Sequence, residues 1–176
     1  MMSFGSNRRV LRAALLLILA PFAGCAELPP PEFVSKEYRF RAQFGGVPKV
    51  IEKVGVTQST VYSVERPAGV FRVTITDLPI PADDPAERAS AYLISAKDDL
   101  IRAARAAQTA DASTTLAGKY PGRAFAATFG GAEPGAMRAR IFLVGKRLYQ
   151  VLAVGTAEYA NSDAATAFLD SFQLTE

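Results

Sequence analysis

Cys25 is the residue whose type and neighbours most directly suggest a covalent reaction. It is the only cysteine in the 176-residue sequence, and it follows the small residues Ala23 and Gly24. With no second cysteine in the chain, its thiol has no partner for an intramolecular disulfide. Covalent chemistry at this thiol would therefore be a modification other than an intramolecular disulfide.

The segment before Cys25 has the order of a secretory signal. A cationic stretch with Arg8, Arg9 and Arg12 precedes an apolar stretch at 13–23, which is the arrangement that export machineries recognise. The apolar stretch is shorter than the roughly 20 residues that a permanent membrane-spanning helix needs. We expect export by the Sec route, because Arg12 stands where a twin-arginine signal requires a hydrophobic residue.

The end of the apolar stretch, Phe22-Ala23-Gly24-Cys25, resembles the lipobox of bacterial lipoproteins, with Phe22 in place of the usual leucine. The resemblance implies acylation of Cys25 and cleavage just before it, which makes residues 1–24 a lipoprotein signal peptide. Because Ala26 is not aspartate, it also implies release to the periplasmic face of the outer membrane if the cell is diderm. The alternative is an ordinary signal peptide cut beside Ala26, with Cys25 incidental.

The rest of the chain is predicted to be a tether and one domain. Residues 25–35 include three consecutive prolines, which favour a stiff, extended segment, and residues 36–176 have the length of a single α+β domain. Removing the three leader arginines from the 20 basic residues leaves 17, equal to the 17 acidic ones. A neutral domain lacks the basic footprint that nucleic-acid binding requires.

The absence of histidine excludes several kinds of catalytic and metal site. The chain has no histidine, which excludes Ser-His-Asp and Cys-His catalysis and nearly every imidazole-based metal site. We therefore expect no cofactor, no metal and no enzymatic activity, although a pair of distant carboxylates stays possible. The adjacent acids Asp98 and Asp99 are interpreted as a solvated helix face, because neighbouring helical residues point in different directions.

Hydrophobic periodicity predicts the elements of the domain. Alternation favours strands at 36–44, 56–65 and 70–76. Asp84-Pro85-Ala86-Glu87 then resembles a capping box, so that a long amphipathic helix is expected over 85–108. Further strands are predicted at 113–119 and 123–129.

A β-hairpin is the clearest local signal. Residues 137–144 and 147–155 flank Gly145-Lys146, which suits a two-residue type II′ turn. That turn pairs Val144 with Arg147, Phe142 with Tyr149 and Arg140 with Val151. The apolar face of the hairpin then consists of Met137, Ala139, Ile141, Leu143, Leu148, Leu152 and Val154. A last helix, capped by Asn161 or Ser162, buries Ala165, Phe168, Leu169 and Phe172.

The opposite face of the hairpin is a candidate binding face. It carries Arg138, Arg140 and Arg147 beside Phe142 and Tyr149, and arginine interleaved with aromatic rings can hold carboxylates, phosphates or sugars. The alternative is that a helix covers the rings while the arginine stems lie along the surface with their heads in water.

The order of elements predicts an α+β fold, a largely antiparallel sheet covered by helices. Segments 118–123, 138–150 and 168–172 resemble the C-terminal half of exported bacterial proteins with the Mog1/PsbP-like fold. The resemblance implies a Mog1/PsbP-like sandwich, and it implies an accessory, protein-binding role, since the similar family members are not enzymes. Segment 44–49 resembles the family's early turn but lacks its usual proline.

The sequence leaves two candidate functions. The first is a membrane-anchored envelope lipoprotein whose domain is a non-catalytic accessory module that binds an envelope protein. The second is a carrier of a small apolar or lipidic ligand, which would require a pocket between helix and sheet.

Overall fold

The computed structural model describes residues 32–53, 57–80, 88–131 and 134–176. The predicted signal peptide, Cys25, most of the tether and the capping-box residues 84–87 lie outside these ranges. The elements in chain order are β1 (Phe33–Ser35), β2 (Phe40–Ala42), β3 (Lys49–Lys53), β4 (Ser59–Arg66), β5 (Gly69–Asp77), α1 (Ala89–Ala103), β6 (Ala107–Leu116), β7 (Tyr120–Phe129), β8 (Gly135–Val144), β9 (Arg147–Gly155), α2 (Ala157–Ala160), α3 (Asp163–Ser171) and β10 (Gln173–Leu174). None of the described helices has the length and apolar character to span a membrane.

A seven-stranded antiparallel sheet forms the centre of the fold. Its strand order is β3-β4-β5-β9-β8-β7-β6, and a smaller sheet of order β1-β2-β10 lies beside it. Strands of the central sheet are buried on both faces where helices cover them, so the protein is an α+β sandwich, as the sequence predicts.

The face covered by α1 has a mainly aliphatic core. Leu93 of α1 is 2% exposed and packs among side chains of three neighbouring strands. The buried residues of this cluster are Leu93, Phe125, Ala127, Met137, Ala139, Ile141, Leu143, Leu148 and Leu152. The apolar face predicted for the hairpin is confirmed, because six of its seven residues are buried here and Val154 packs at the edge.

The opposite face has a mainly aromatic core. Helix α3, α2 and the small sheet lie over it. The buried aromatic residues of this cluster are Phe40, Phe44, Tyr62, Phe71, Phe142, Tyr149, Phe168 and Phe172. The alternation predicted at 36–44 is confirmed in its burial, since Phe40, Ala42 and Phe44 are fully buried, although only three residues there form a strand.

The predicted hairpin is confirmed in detail. Val144 pairs with Arg147, Phe142 with Tyr149 and Arg140 with Val151. Gly145 has φ +60°, the backbone required at the first central position of a type II′ turn. The C-terminal helix is also confirmed, and Ser162 is its cap, because its Oγ accepts a hydrogen bond from the Ala165 N–H.

Other predicted boundaries are corrected. Residues 33–35, assigned to the tether, form β1 and pair with β2, so the folded part begins before residue 36. Helix α1 ends at Ala103 instead of residue 108, because Arg105 adopts φ +49° and the chain turns into β6. Strand β6 therefore begins at 107 and not at 113, since its pairing with β7 overrides the helical propensity of alanine. The strands β3 and β10 were not predicted.

Candidate functional site

The two aromatic residues of the predicted binding face belong to the core. Phe142 and Tyr149 lie opposite each other on β8 and β9 and are 3% and 2% exposed. The ring of Phe172 lies 5.9 Å from that of Phe142 and 5.6 Å from that of Tyr149, measured between centroids. The rings of this face are thus packed under the end of α3.

Two of its three arginines join the sheet to α3. Arg138 Nη1 donates to Thr166 Oγ1 at 2.8 Å. Arg140 Nη1 donates to the carbonyl oxygen of Leu169 at 3.2 Å, and its Nη2 forms an ion pair with Asp170. These partners come from the helix itself, so the two guanidinium groups already have ligands within the fold.

The third arginine lies at the other end of the face. Arg147 Nε donates to Asp77 Oδ1 at 2.8 Å, and its guanidinium carbon lies 5.2 Å from the centre of the Tyr38 ring. The hydrogen bond with Asp77 raises the pKa of Arg147 above its usual value, against a smaller opposing effect of burial. This arginine is therefore a fixed cation at the start of β9.

The five residues do not converge on one site. Arg147 and Tyr149 line a hollow of about 550 Å³ at one end of the sheet, whereas Arg138 and Arg140 line a separate groove of about 320 Å³ beside β6 and β7. The first hollow, here called the sheet-end hollow, is lined by Arg39, Asp77, Ala117, Tyr120, Val144, Lys146, Arg147, Tyr149, Leu174, Thr175 and Glu176.

Hydrogen bonds hold the inner wall of the sheet-end hollow. Tyr149 Oη donates to the carbonyl oxygen of Tyr38 at 2.8 Å, and the Thr175 N–H donates to the carbonyl oxygen of Arg39 at 2.9 Å. Burial raises the pKa of Tyr149, although the cation of Arg147 lowers it in part. Tyr149 therefore remains a neutral donor at physiological pH.

A second feature is the edge strand β3. All five of its residues are exposed, and two of them are apolar, with Val50 at 50% and Ile51 at 39% exposure. Val47, in the loop before the strand, is 91% exposed. The sequence did not indicate this strand, because its side chains show no alternation between apolar and polar residues.

Comparison with known proteins concerns the fold. No family model and no curated protein matches this chain. Among solved structures it is similar to the solution structure of cyanobacterial PsbP (CyanoP) from Synechocystis sp. PCC 6803, with a TM-score of 0.61 and 10% sequence identity over 89% of this chain and 98% of that one. The chain has the PsbP-like fold. At this identity the likeness describes the architecture alone.

The PsbP-like domain also contains a polar cluster between α1 and the sheet. Lys97, 8% exposed, donates to Gln108 Oε1 at 2.7 Å and to Asp111 Oδ2 at 3.0 Å. Arg123 Nη2 lies 2.7 Å from Asp111 Oδ1. Burial alone would lower the pKa of Lys97 and raise that of Asp111, but their mutual hydrogen bond and the neighbouring charges outweigh it, so the pKa of Lys97 is raised and that of Asp111 is lowered.

These contacts give the charged cluster a packing role. It connects α1, β6 and β7 through side chains whose hydrogen bonds are satisfied. The acids Asp98 and Asp99 form separate ion pairs with Lys97 and Arg102, at 3.1 Å and 2.9 Å. Within the described ranges no group of three or more acidic side chains is placed to hold a metal ion.

A groove also runs between α1 and the sheet of the PsbP-like domain. Its volume is about 390 Å³, and it is open to solvent. Apolar side chains line it together with polar ones, namely Thr76, Leu78, Tyr92, Ser95, Ala96, Asp99, Leu100, Ala103, Leu148 and Gln150.

Proposed function

We propose that this protein is a lipid-anchored lipoprotein of the bacterial envelope, and that its PsbP-like domain is a non-catalytic accessory module which binds an envelope protein. The observation that carries the binding role is β3, a strand at the edge of the central sheet. All five of its residues are exposed, and it has apolar side chains on both faces.

The sequence before the domain supports the anchor. The signal-like leader ends just before Cys25, and β1 begins at Phe33. An extended chain spans at most about 3.3–3.6 Å per residue, so the lipid on Cys25 would hold the domain within roughly 30 Å of the membrane surface. A partner would then be another protein at that surface.

The composition of β3 supports recruitment of a partner chain. An exposed edge strand offers unpaired backbone donors and acceptors, to which an extended segment can add as a further strand. Val50 and Ile51 supply apolar contact on the two faces, whereas Lys49, Glu52 and Lys53 carry charge. Charged residues on an edge discourage indiscriminate pairing, so the strand favours a partner with complementary charges.

Site-specific crosslinking in the intact envelope tests the binding role. A photoreactive amino acid at Val50 should yield a defined crosslinked protein, and Val47→Lys with Ile51→Lys should abolish that product. The matched control is Ile94 on α1, an apolar residue of similar exposure at 40%. Equal crosslinking from positions 50 and 94, or a product insensitive to the lysine substitutions, would count against a β3 partner.

The intact mass of the mature N-terminus tests the anchor. We expect a chain that begins at Cys25 and carries acyl groups, and we expect Cys25→Ser to leave an unprocessed, unacylated precursor. An unmodified mature chain that starts after Cys25 would refute the lipoprotein proposal while leaving the β3 proposal intact.

The carrier of an apolar ligand is the second candidate, and the groove beside α1 is the observation that favours it. At about 390 Å³ its volume falls within the range of small-molecule sites. However, polar groups such as Asp99 and Gln150 line it together with Leu100 and Leu148. Binding of a fluorescent fatty acid that is lost in Leu100→Asp, with the fold retained, would support the carrier over the accessory module.

A further inference from the structure

The sheet-end hollow brings together residues from distant parts of the chain. They come from the turn before β2, the end of β5, the turn between β6 and β7, the hairpin turn at Lys146 and the segment after β10. Its volume of about 550 Å³ lies within the roughly 300–1,000 Å³ of sites for small molecules.

Two cations that line the hollow have no ligand among the described residues. In the part of the chain that the structure describes, neither the Arg39 guanidinium nor the Lys146 ammonium makes a hydrogen bond or ion pair, while both line the hollow. By contrast, Arg147 is held by Asp77. The lining side chains include three cations and two carboxylates. The Arg147–Asp77 pair removes one of each, which leaves Arg39 and Lys146 with the carboxylate of Glu176.

Apolar and aromatic groups form the rest of the wall. Val144 and Leu174 lie beside the rings of Tyr120 and Tyr149, and Lys119 Nζ lies 5.1 Å from the centre of the Tyr120 ring. A ligand with a negative head could therefore also bury an apolar ring or short chain.

The backbone around the hollow is held in a costly conformation. Arg39 and Ala117 have φ +51° and +52°, and they are two of the three described non-glycine residues with positive φ. Left-handed backbone is unfavourable for such residues, because their Cβ atoms crowd the neighbouring carbonyl oxygen. Strain of this kind collects at ligand sites, where the surrounding hydrogen bonds hold side chains in position before the ligand arrives.

We propose that the sheet-end hollow binds a small molecule that combines one anionic head, a carboxylate or a phosphate, with an apolar ring or short chain. Arg39 and Lys146 hold the head, the Arg147–Asp77 ion pair fixes the wall beside them, and the partly buried Tyr120, Val144 and Leu174 contact the apolar part. This site does not depend on the lipid anchor or on the edge strand β3.

Chemical-shift titration of the full-length chain in non-ionic detergent micelles tests the proposal. The probes are benzoate, phenyl phosphate, inorganic phosphate and the neutral analogue benzamide. We expect both aromatic anions to shift residues of the hollow. We expect benzamide to bind at least about ten-fold more weakly, since loss of one charge-assisted contact costs about that factor. We expect inorganic phosphate to bind more weakly than phenyl phosphate, since it has no apolar ring to bury. Preference between benzoate and phenyl phosphate identifies the head.

Charge-matched variants distinguish binding in the hollow from a general effect of the protein's net charge on anion affinity. Arg39→Gln with Lys146→Gln should raise Kd by about ten-fold or more, and Glu176→Gln should lower it. Lys49→Gln with Arg72→Gln removes the same charge from exposed positions outside the hollow and should change Kd by less than about two-fold.

Arg39→Gly distinguishes a binding role from a structural one. Glycine tolerates φ +51°, so this variant should retain or raise Tm while its Kd for the preferred anion rises. Anions that shift no residue of the hollow, benzamide binding as tightly as benzoate, or unchanged affinity in the Arg39 and Lys146 variant would each overturn the proposal.

Discussion

The two faces of the central sheet are packed by different kinds of side chain. Under α3, Phe168 stacks on Phe71 with ring centroids 4.6 Å apart and an interplanar angle of 9°. Under α1, Leu93 is surrounded mainly by aliphatic groups. Aromatic packing has few favourable geometries, whereas aliphatic side chains tolerate repacking more readily.

This difference corresponds to what each face holds in place. The aromatic face gathers both ends of the folded chain, because Phe40 of β2 stacks on Phe172 at 5.6 Å. The aliphatic face holds one helix, in which only Leu93 and Lys97 are buried. We infer that the aromatic face determines global stability, while α1 can open locally at lower free energy.

The largest effect is expected from Phe168→Ala on the aromatic face. It removes a ring that contacts Phe71 and Phe44 and leaves a cavity in a packed core. We expect the free energy of unfolding to fall by about 3–5 kcal/mol, measured by urea denaturation. Val34→Ala is the control at 48% exposure and should change it by less than about 0.5 kcal/mol. A loss below about 1 kcal/mol for Phe168→Ala would contradict the ranking of the two faces.

Leu93→Ala provides the matching test on the aliphatic face. The expected loss is about 2–3 kcal/mol, at the lower end for buried leucine, because the aliphatic neighbours can close part of the cavity. Amide hydrogen exchange should accelerate mainly in α1. Acceleration spread equally over α1 and α3 would show that the two faces unfold as one unit.

Asp111→Asn tests the polar cluster on the aliphatic face. We expect a loss of about 1–2 kcal/mol at neutral pH, because the substitution removes a charge-assisted hydrogen bond to Lys97. The folded pKa of Asp111 is lowered from 3.8, so its contribution is present above that value and is lost as pH falls through the folded pKa. The pKa of Lys97 is raised in the folded protein above 10.5. Its contribution to stability is therefore fully present below pH 10.5 and is lost only as pH rises through the folded pKa.

The difference between wild type and Asp111→Asn should therefore stay constant between about pH 5 and 9 and shrink below about pH 4. Denaturation curves across this range measure it. A difference that grows on acidification would contradict the assigned direction of the Asp111 pKa.

The smallest expected effect is a gain in stability, from Tyr159→Phe. Tyr159 stacks on Phe71 at 5.0 Å, and among the described residues its hydroxyl oxygen is buried without a hydrogen-bond partner. Tyr159→Phe keeps the ring and removes the unpartnered hydroxyl, so we expect stability to rise by about 0.5–1 kcal/mol. A clear loss in thermal denaturation would instead indicate a partner for this hydroxyl.

Local signals were sufficient for the best-predicted parts of the fold. A two-residue turn with glycine first determines the register of its hairpin, so the pairing of Phe142 with Tyr149 followed from Gly145-Lys146. The cap at Ser162 and the apolar spacing after it likewise predicted α3. These features depend on residues close together in sequence.

Long-range pairing accounts for what the sequence did not reveal. The alanine-rich stretch after Ala103 has helical propensity, but pairing with β7 draws it into β6. In the same way, β1 and β10 are too short for periodicity to detect, and each exists as a strand through its pairing with β2.

The sequence by itself determined the α+β class, the hairpin register, the final helix and the neutral charge of residues 25–176. Only the tertiary structure decided the partners of the arginines. Arg138 and Arg140 bind α3, and Arg147 forms an ion pair with Asp77. Arg39 and Lys146 line the same hollow. The physical reason is distance along the chain: short-range periods and turns set local geometry, whereas the partners of a side chain depend on which strands become neighbours in the sheet.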